Sequence, residues 1–329
     1  MLLTFLAVAC AVFLVVLGFL LTDSPQRNRE VDFGMTFSRP YARDELGLDA
    51  DRVLTASLDE LGIRRFRIGA YWNFIEPQKG DWNFDDLDRD IREIEARGGS
   101  IVLAVGQKLP RWPECWAPEW SKQLSSSDRE AATLQYIETV VTRYRENKTI
   151  IAWQIENEPH FEYGECPKTD PAFHAQEVDL VRSLDGTRPV VTTDSGELSL
   201  WTTFGRSVDA LGISVYRVVQ NPTIGIWRYW FIPPSFYRRK AQILQPFGVH
   251  TIYVSEFQME PWSNKPLPQT PVEDQMKTFN LAQMKKNIAY AKRMGISPID
   301  FWGVEWWYWM KEKREHPEFW EMAKTIYQK

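Results

Sequence analysis

Histidine and cysteine are scarce in this chain, with four of the first and three of the second among 329 residues. His160, His174, His250 and His316 form no His-x-His or His-x-x-x-His pair, so metal-dependent chemistry has no ligand set and neither metal nor cofactor is expected. Runs rich in Lys and Arg are also missing, and the formal net charge is -5. That excludes the clustered basic face that nucleic acid requires. There is no low-complexity tract, and the only repeat is a strand-helix unit. What the chain has in quantity is tryptophan, 15 residues, several of them in Pro-rich segments. Flat rings in loops suit ring-shaped ligands, and the competing use of the same residues is core packing.

Leu2 to Leu21 is nearly unbroken apolar sequence, and about 20 residues at ~1.5 Å rise span the ~30 Å hydrocarbon core. Residues 1–21 are therefore a transmembrane anchor or a signal peptide. Ala7-Val8-Ala9 comes too early for signal-peptidase cleavage and nothing comparable follows, which favours an uncleaved anchor. Val8-Ala9-Cys10 is a faint lipoprotein-like sequence. No Lys or Arg precedes the run, whereas Arg27 and Arg29 follow it. Taken alone, the positive-inside rule puts the main domain in the cytoplasm, which conflicts with the export that the chemistry below favours. Cys10 lies within the run. Cys115 and Cys166 both fall in loops just after strands, where they are either a disulfide, fitting an oxidising compartment, or two free thiols.

After a linker over 22–30, strands and helices alternate through a single domain over 31–329. Strands are expected at 31–37, 65–69, 100–105, 150–159, 189–193, 210–216, 251–256 and 299–304. Helices are expected at 51–61, 84–96, 128–146, 171–184, 198–206, 235–245 and 272–294, with another at the C-terminus through Trp320 and Ile326. Gly62 and Gly98-Gly99 stop the first two helices, as glycine does just past a C-terminus. Eight strand-helix repeats suit a closed (β/α)8 TIM barrel better than a doubly wound sheet, and ~250 residues is usual for that fold.

Active sites of such barrels lie at the strands' C-terminal ends. The fourth strand runs Ile150-Ile151-Ala152-Trp153-Gln154-Ile155-Glu156-Asn157-Glu158-Pro159, and the seventh closes on Glu256. Two glutamates converging on one cleft suit the cleavage of a glycosidic bond. One protonates the leaving oxygen while the other attacks the anomeric carbon or activates water.

Trp153 to Pro159 resembles the strand-four Asn-Glu-Pro motif of clan A glycoside hydrolases. Arg67-Ile68-Gly69 resembles the strand-two arginine motif of the cellulase-like family 5. The stretch from Trp72 to Phe84 is similar to the Trp, Glu-Pro, Gly and Phe segment of families 10, 39 and 42. The resemblance covers most of the chain after residue 30 without selecting one family. It implies retaining hydrolysis of β-glycosidic bonds in an oligo- or polysaccharide, with Glu158 as general acid/base and Glu256 as nucleophile.

It further implies that Arg67 and Tyr216 hold Glu256, that Asn157 binds the sugar hydroxyl next to the anomeric carbon, and that Trp302 floors the reacting-sugar subsite. Trp72, Trp112, Trp306 and His160 complete the candidate substrate contacts. Trp306, Trp307 and Trp309 fit either a sugar platform or packing at the barrel rim. Trp116, Trp120, Trp227, Trp230 and Trp262 are looser subsite candidates. Glu76, Glu156 and Glu260 read as scaffold or binding residues. Family 5 commonly carries histidines near the ends of strands three and six, where this chain has Gln107-Lys108 and Ser214. The expected partners are a carbohydrate substrate and a membrane, met by a monomer whose catalytic domain lies outside the cytoplasm. The alternatives are a carbohydrate-binding pseudoenzyme and a transglycosylase on the same barrel.

Overall fold

The computed structural model describes residues 2–24, 26, 30–221 and 223–328. Arg27 and Arg29, which carry the charge bias after the apolar run, lie outside the described residues.

Eight parallel strands close into a barrel: β1 (Phe33–Phe37), β2 (Arg65–Gly69), β3 (Ser100–Val105), β4 (Ile150–Ile155), β5 (Val190–Ser195), β6 (Ala210–Val215), β7 (Ile252–Gln258) and β8 (Ile299–Trp302). Each pairs with its neighbours in sequence, and β8 closes onto β1. The strands are buried on nearly every residue because both faces are covered, one by the barrel interior and one by helices. Val102, Ala152, Val191 and Tyr253 form an inner layer. The outward residues, such as Phe66, Trp153, Val254 and Phe301, join the large core shared with the helices.

Those helices are α2 (Ala50–Asp59), α3 (Asp85–Ala96), α4 (Ser126–Tyr144), α5 (Pro171–Leu184), α6 (Phe236–Leu244), α7 (Val272–Thr278), α8 (Leu281–Arg293), α9 (Val304–Lys313) and α10 (Glu318–Tyr327). Local chemistry sets several of their starts. Asp49 accepts from the Asp51 and Arg52 amides at the start of α2. Asp170 does the same for α5, where Pro171 occupies a first-turn position that needs no amide donor.

Four expectations change. Residues 198–206 form turns rather than a helix, organised by Trp201, whose indole donates to the Ser195 carbonyl. The helix expected over 272–294 is two, because Phe279 turns extended and Asn280 caps α8 through the Gln283 amide. The eighth strand ends at Trp302, and Gly303, at φ 136°, starts α9. A two-stranded antiparallel hairpin, 218–221 with 225–228, follows β6 where none is expected.

The apolar N-terminal run is one helix, α1 (Leu2–Leu21). Its stretch Thr4–Leu21 is long and apolar enough to cross a membrane and has none of its residues buried in the protein.

Candidate active site

Glu256 faces the barrel interior because β7 carries an extra residue. Val254 pairs with Ile213 and Glu256 with Ser214, so Ser255 has no counterpart on β6. On the other side Ile299 pairs with Val254 and Phe301 with Phe257, which records the same insertion. Strict alternation from inward Tyr253 and outward Val254 would turn Glu256 away from the centre. The bulge re-aims it, and Phe257 returns to the outer core.

Two donors meet the Glu256 carboxylate. Arg67 Nη1 gives a hydrogen bond of 2.8 Å to Oε1, and the Tyr216 hydroxyl one of 3.0 Å to Oε2. Arg67 is fully buried, and its remaining nitrogens reach Gln154 Oε1 at 2.7 Å and Asn157 Oδ1 at 2.6 Å. One guanidinium fork thus ties the end of β4 to the end of β7.

Glu158 is aimed by backbone rather than by a bulge. Glu156 and Glu158 both have positive φ, 56° and 44°, a region non-glycine residues visit rarely outside functional sites. Five hydrogen bonds hold this turn. The Glu156 carboxylate accepts from the Gln107 and Lys108 amides at 2.8 and 2.6 Å. Thr193 Oγ1 accepts from the Glu158 amide at 2.8 Å. Lys108 Nζ donates to the carbonyls of Glu158 and Phe161 at 2.9 and 2.7 Å. Gly106 is obligatory beneath it, since a Cβ there would lie 2.5 Å from Glu156 Oε1.

The Glu158 carboxyl accepts a hydrogen bond of 2.5 Å from Ser214, the residue paired with Glu256 across β6 and β7. Burial, reinforced by the negative charge of Glu256, pushes the Glu158 carboxyl up to about 8, against the opposing pull of Ser214 and Lys108. Of the residues that depart from the family 5 pattern, Gln107, Lys108 and Ser214, the last two touch Glu158. Sequence spacing marks those positions but carries no signal for the contacts.

A third carboxyl went unread in the sequence. Glu114 is buried, lies 3.7 Å from Lys108 Nζ, and leaves Oε2 without a hydrogen-bond partner. Burial raises it well above the usual carboxylate range, with Glu158 and Glu256 adding repulsion. The neighbouring Cys115 forms a disulfide with Cys166, so the loops after β3 and β4 are covalently joined. From this side a row of rings runs inward: Trp112 to Tyr163 at 5.9 Å, Tyr163 to Trp262 at 5.7 Å, and Trp262 to Tyr216 at 5.0 Å.

The other named residues divide. The Asn157 amide nitrogen is buried without a partner, a free donor beside both glutamates. Trp302 donates its indole N–H to Glu260 at 2.8 Å, and Arg111 sits 3.9 Å from its ring centre and 3.9 Å from that of Tyr41. Trp112 and His160 are exposed. Trp72 and Trp306 correct the expectation of sugar contact, because both are fully buried. Trp72 bonds Glu76 and stacks on Tyr136, while Trp306 bonds Gln275 and packs on Phe279 and Phe319. Trp307 and Trp309 are buried on the same helix, so packing, not a platform, is their use.

Among the described residues no group of His, Cys, Asp and Glu has the arrangement to hold a metal ion.

Comparison with known proteins adds a family. The model described as Cellulase (glycosyl hydrolase family 5) matches residues 33–242. Beta-galactosidase BgaA of Clostridium cellulovorans is 24% identical over 165 residues, 44% of this chain but 25% of that protein. The chain thus spans about a quarter of the length of that curated relative. Native xylanase 10B from Thermotoga maritima superposes with a TM-score of 0.56 at 14% identity, covering 83% of each chain. GH5_18 from Streptomyces cattleya, solved in complex with GlcNAc, gives 0.54 at 14% identity, covering 85% of this chain and 71% of that one. At such identities the two structures speak for the barrel alone.

Proposed function

The chain belongs to the cellulase family, glycosyl hydrolase family 5, and from that premise we propose that it is a retaining glycosidase acting on β-glycosidic bonds of an oligo- or polysaccharide. Glu256 is the nucleophile and Glu158 the general acid/base. One observation carries this assignment: the two carboxyls sit in opposed surroundings. Glu256 is met by a guanidinium and a phenol, which favour its attack as an anion. Glu158 is buried against that negative charge and pushed up to about 8, so it holds a proton at neutral pH.

In the first step Glu256 attacks the anomeric carbon while Glu158 protonates the departing oxygen. In the second, Glu158 takes a proton from water as that water displaces Glu256. Retention requires carboxyls about 5 to 5.5 Å apart, too close for water to intervene. The unpartnered Asn157 amide would donate to the hydroxyl beside the anomeric carbon, a contact that strengthens as charge develops. Trp302 would floor the reacting ring, and the row from Trp112 to Tyr216 would receive the rest of the chain. His160, at the exposed end of the β4 loop, would meet it there.

The beta-galactosidase relative supports a β-linked substrate. The enzyme is anchored by α1 with its barrel outside the cytoplasm. The Cys115–Cys166 disulfide supports that side of the membrane, since cytosolic thiols are kept reduced. A screen of β-linked polysaccharides and aryl β-glycosides, with Glu256→Ala as blank, tests the activity. Turnover by the wild type alone is expected. Sugar binding without hydrolysis of any of them would replace the enzyme with a binding protein.

A further inference from the structure

Ten large hydrophobic side chains outside α1 are exposed among the described residues: Trp112, Ile151, Leu198, Leu200, Ile224, Ile226, Trp227, Trp230, Phe231 and Phe247. Seven of them, from Leu198 to Phe231, lie in the loops after β5 and β6, at the strand ends that carry Glu158 and Glu256. Trp230 is 84% exposed, its ring 5.9 Å from that of the adjacent Phe231, and Leu200 is 75% exposed. Single exposed hydrophobics need no explanation, but seven gathered on two successive loops at one end of the barrel do. Branched aliphatic chains do not stack on sugar rings, so a subsite leaves Leu198, Leu200, Ile224 and Ile226 unexplained.

The position of α1 supplies the occupant. Its C-terminal end is fastened to the start of α6, at the same end of the barrel. Ser235 Oγ accepts from the Ser24 amide at 3.0 Å, Arg238 donates to the Ser24 carbonyl at 2.9 Å, and Arg239 donates to the carbonyls of Phe19 and Thr22. Phe19 also lies 4.7 Å below the Arg239 guanidinium. Lys240, the next residue, reaches the Gly196 and Ser199 carbonyls of the β5 loop. The apolar rim and the exit of the apolar helix are therefore neighbours, four residues separating Trp230 from Ser235.

We propose that the β5 and β6 loops are a second membrane contact, which lays the active-site rim along the bilayer from which α1 emerges. The proposal rests on the anchor reading of α1. Its chemistry is that of an interface: Trp227, Tyr229 and Trp230 are the ring types that settle at headgroup level, the aliphatic tips enter the acyl boundary, and exposed Arg228 suits anionic headgroups. The mouth of the cleft then opens beside the lipid surface, and glycans carried on that surface are the nearest substrates.

Because α1 contains no tryptophan, fluorescence quenching reads the rim directly. The full chain would be reconstituted in phosphatidylcholine/phosphatidylglycerol vesicles containing phosphatidylcholine spin-labelled either near the headgroup or near the chain end. Flotation with the vesicles comes first, and failure to float removes the anchor and this contact together, leaving the glycosidase assignment in place. For floating protein, quenching strongest with the headgroup-proximal label is expected. Trp227→Ala/Trp230→Ala should lose most of it, and Trp112→Ala should keep it. Floating protein without quenching, or with quenching that the double variant retains, overturns the contact while sparing the anchor. The wild-type depth comparison stands even if the double variant misfolds.

Discussion

Glu256 and Glu158 are the same side chain at the ends of two strands, yet they share almost no type of contact. Glu256 is turned inward by an extra residue in β7 and gripped from both sides by Arg67 and Tyr216. Glu158 sits on a left-handed backbone, receives one hydroxyl from Ser214, and faces the charge of its partner. The difference teaches that role follows from surroundings. An anion needs fixed donors, whereas an acid that must give up and recover a proton is better served by burial and a single hydroxyl donor.

Removing the anion should have the largest effect. Glu256→Ala is expected to lower kcat by at least about 10⁴-fold, the scale on which nucleophile losses fall, with unchanged circular dichroism. Next is Glu158→Ala, where loss of acid/base assistance should cost about 10² to 10⁴-fold. That loss should be smallest for aryl glycosides with good leaving groups, and azide should restore product formation. Equal losses on good and poor leaving groups would remove the asymmetry between the two carboxyls.

The donors then sharpen it. Tyr216→Phe removes one hydrogen bond to a charged group, about 1.5 to 3 kcal/mol, so kcat/KM should fall about 10 to 100-fold. The pH profile carries its own sign. On the proposed assignment Glu158 works as an acid while protonated, so kcat/KM for poor leaving groups should be held below about pH 8 and decline as pH rises through that value. Glu256→Gln removes the neighbouring charge that helps raise Glu158, and its carboxyl should titrate lower, as isotope-edited infrared spectra can read. The smallest effect is expected of Ser214→Ala. Loss of a donor that lowers the Glu158 carboxyl should move the alkaline limb upward at little cost in rate at neutral pH.

Much of this was legible in the sequence. Short segments rich in apolar residues mark the eight strands, and the position of Asn157-Glu158-Pro159 in the fourth fixes which end of the barrel it serves. Helix starts were legible where a cap announced them, as at Asp170-Pro171. Three-dimensional contacts were not. Nothing in the pattern around Ser255 predicts a bulge, yet alternation without one points Glu256 outward. Trp72 and Trp306 read like ring-binding residues because composition does not separate a platform from a buried indole with a hydrogen-bond partner. Lys108, Ser214 and Glu114 act on Glu158 across strands, so their roles depend on barrel closure rather than on local sequence. The hairpin over 218–228 escaped because its two strands are short and a proline falls between them.

The division of labour between the carboxyls is tested most directly by trapping the intermediate. An activated fluorosugar that forms a slowly hydrolysed glycosyl-enzyme would be incubated with the protein, and the labelled peptide located by mass spectrometry. The adduct is predicted on Glu256, with wild-type product released in the retained anomeric configuration. An adduct on Glu158, or product of inverted configuration, would contradict the assignment.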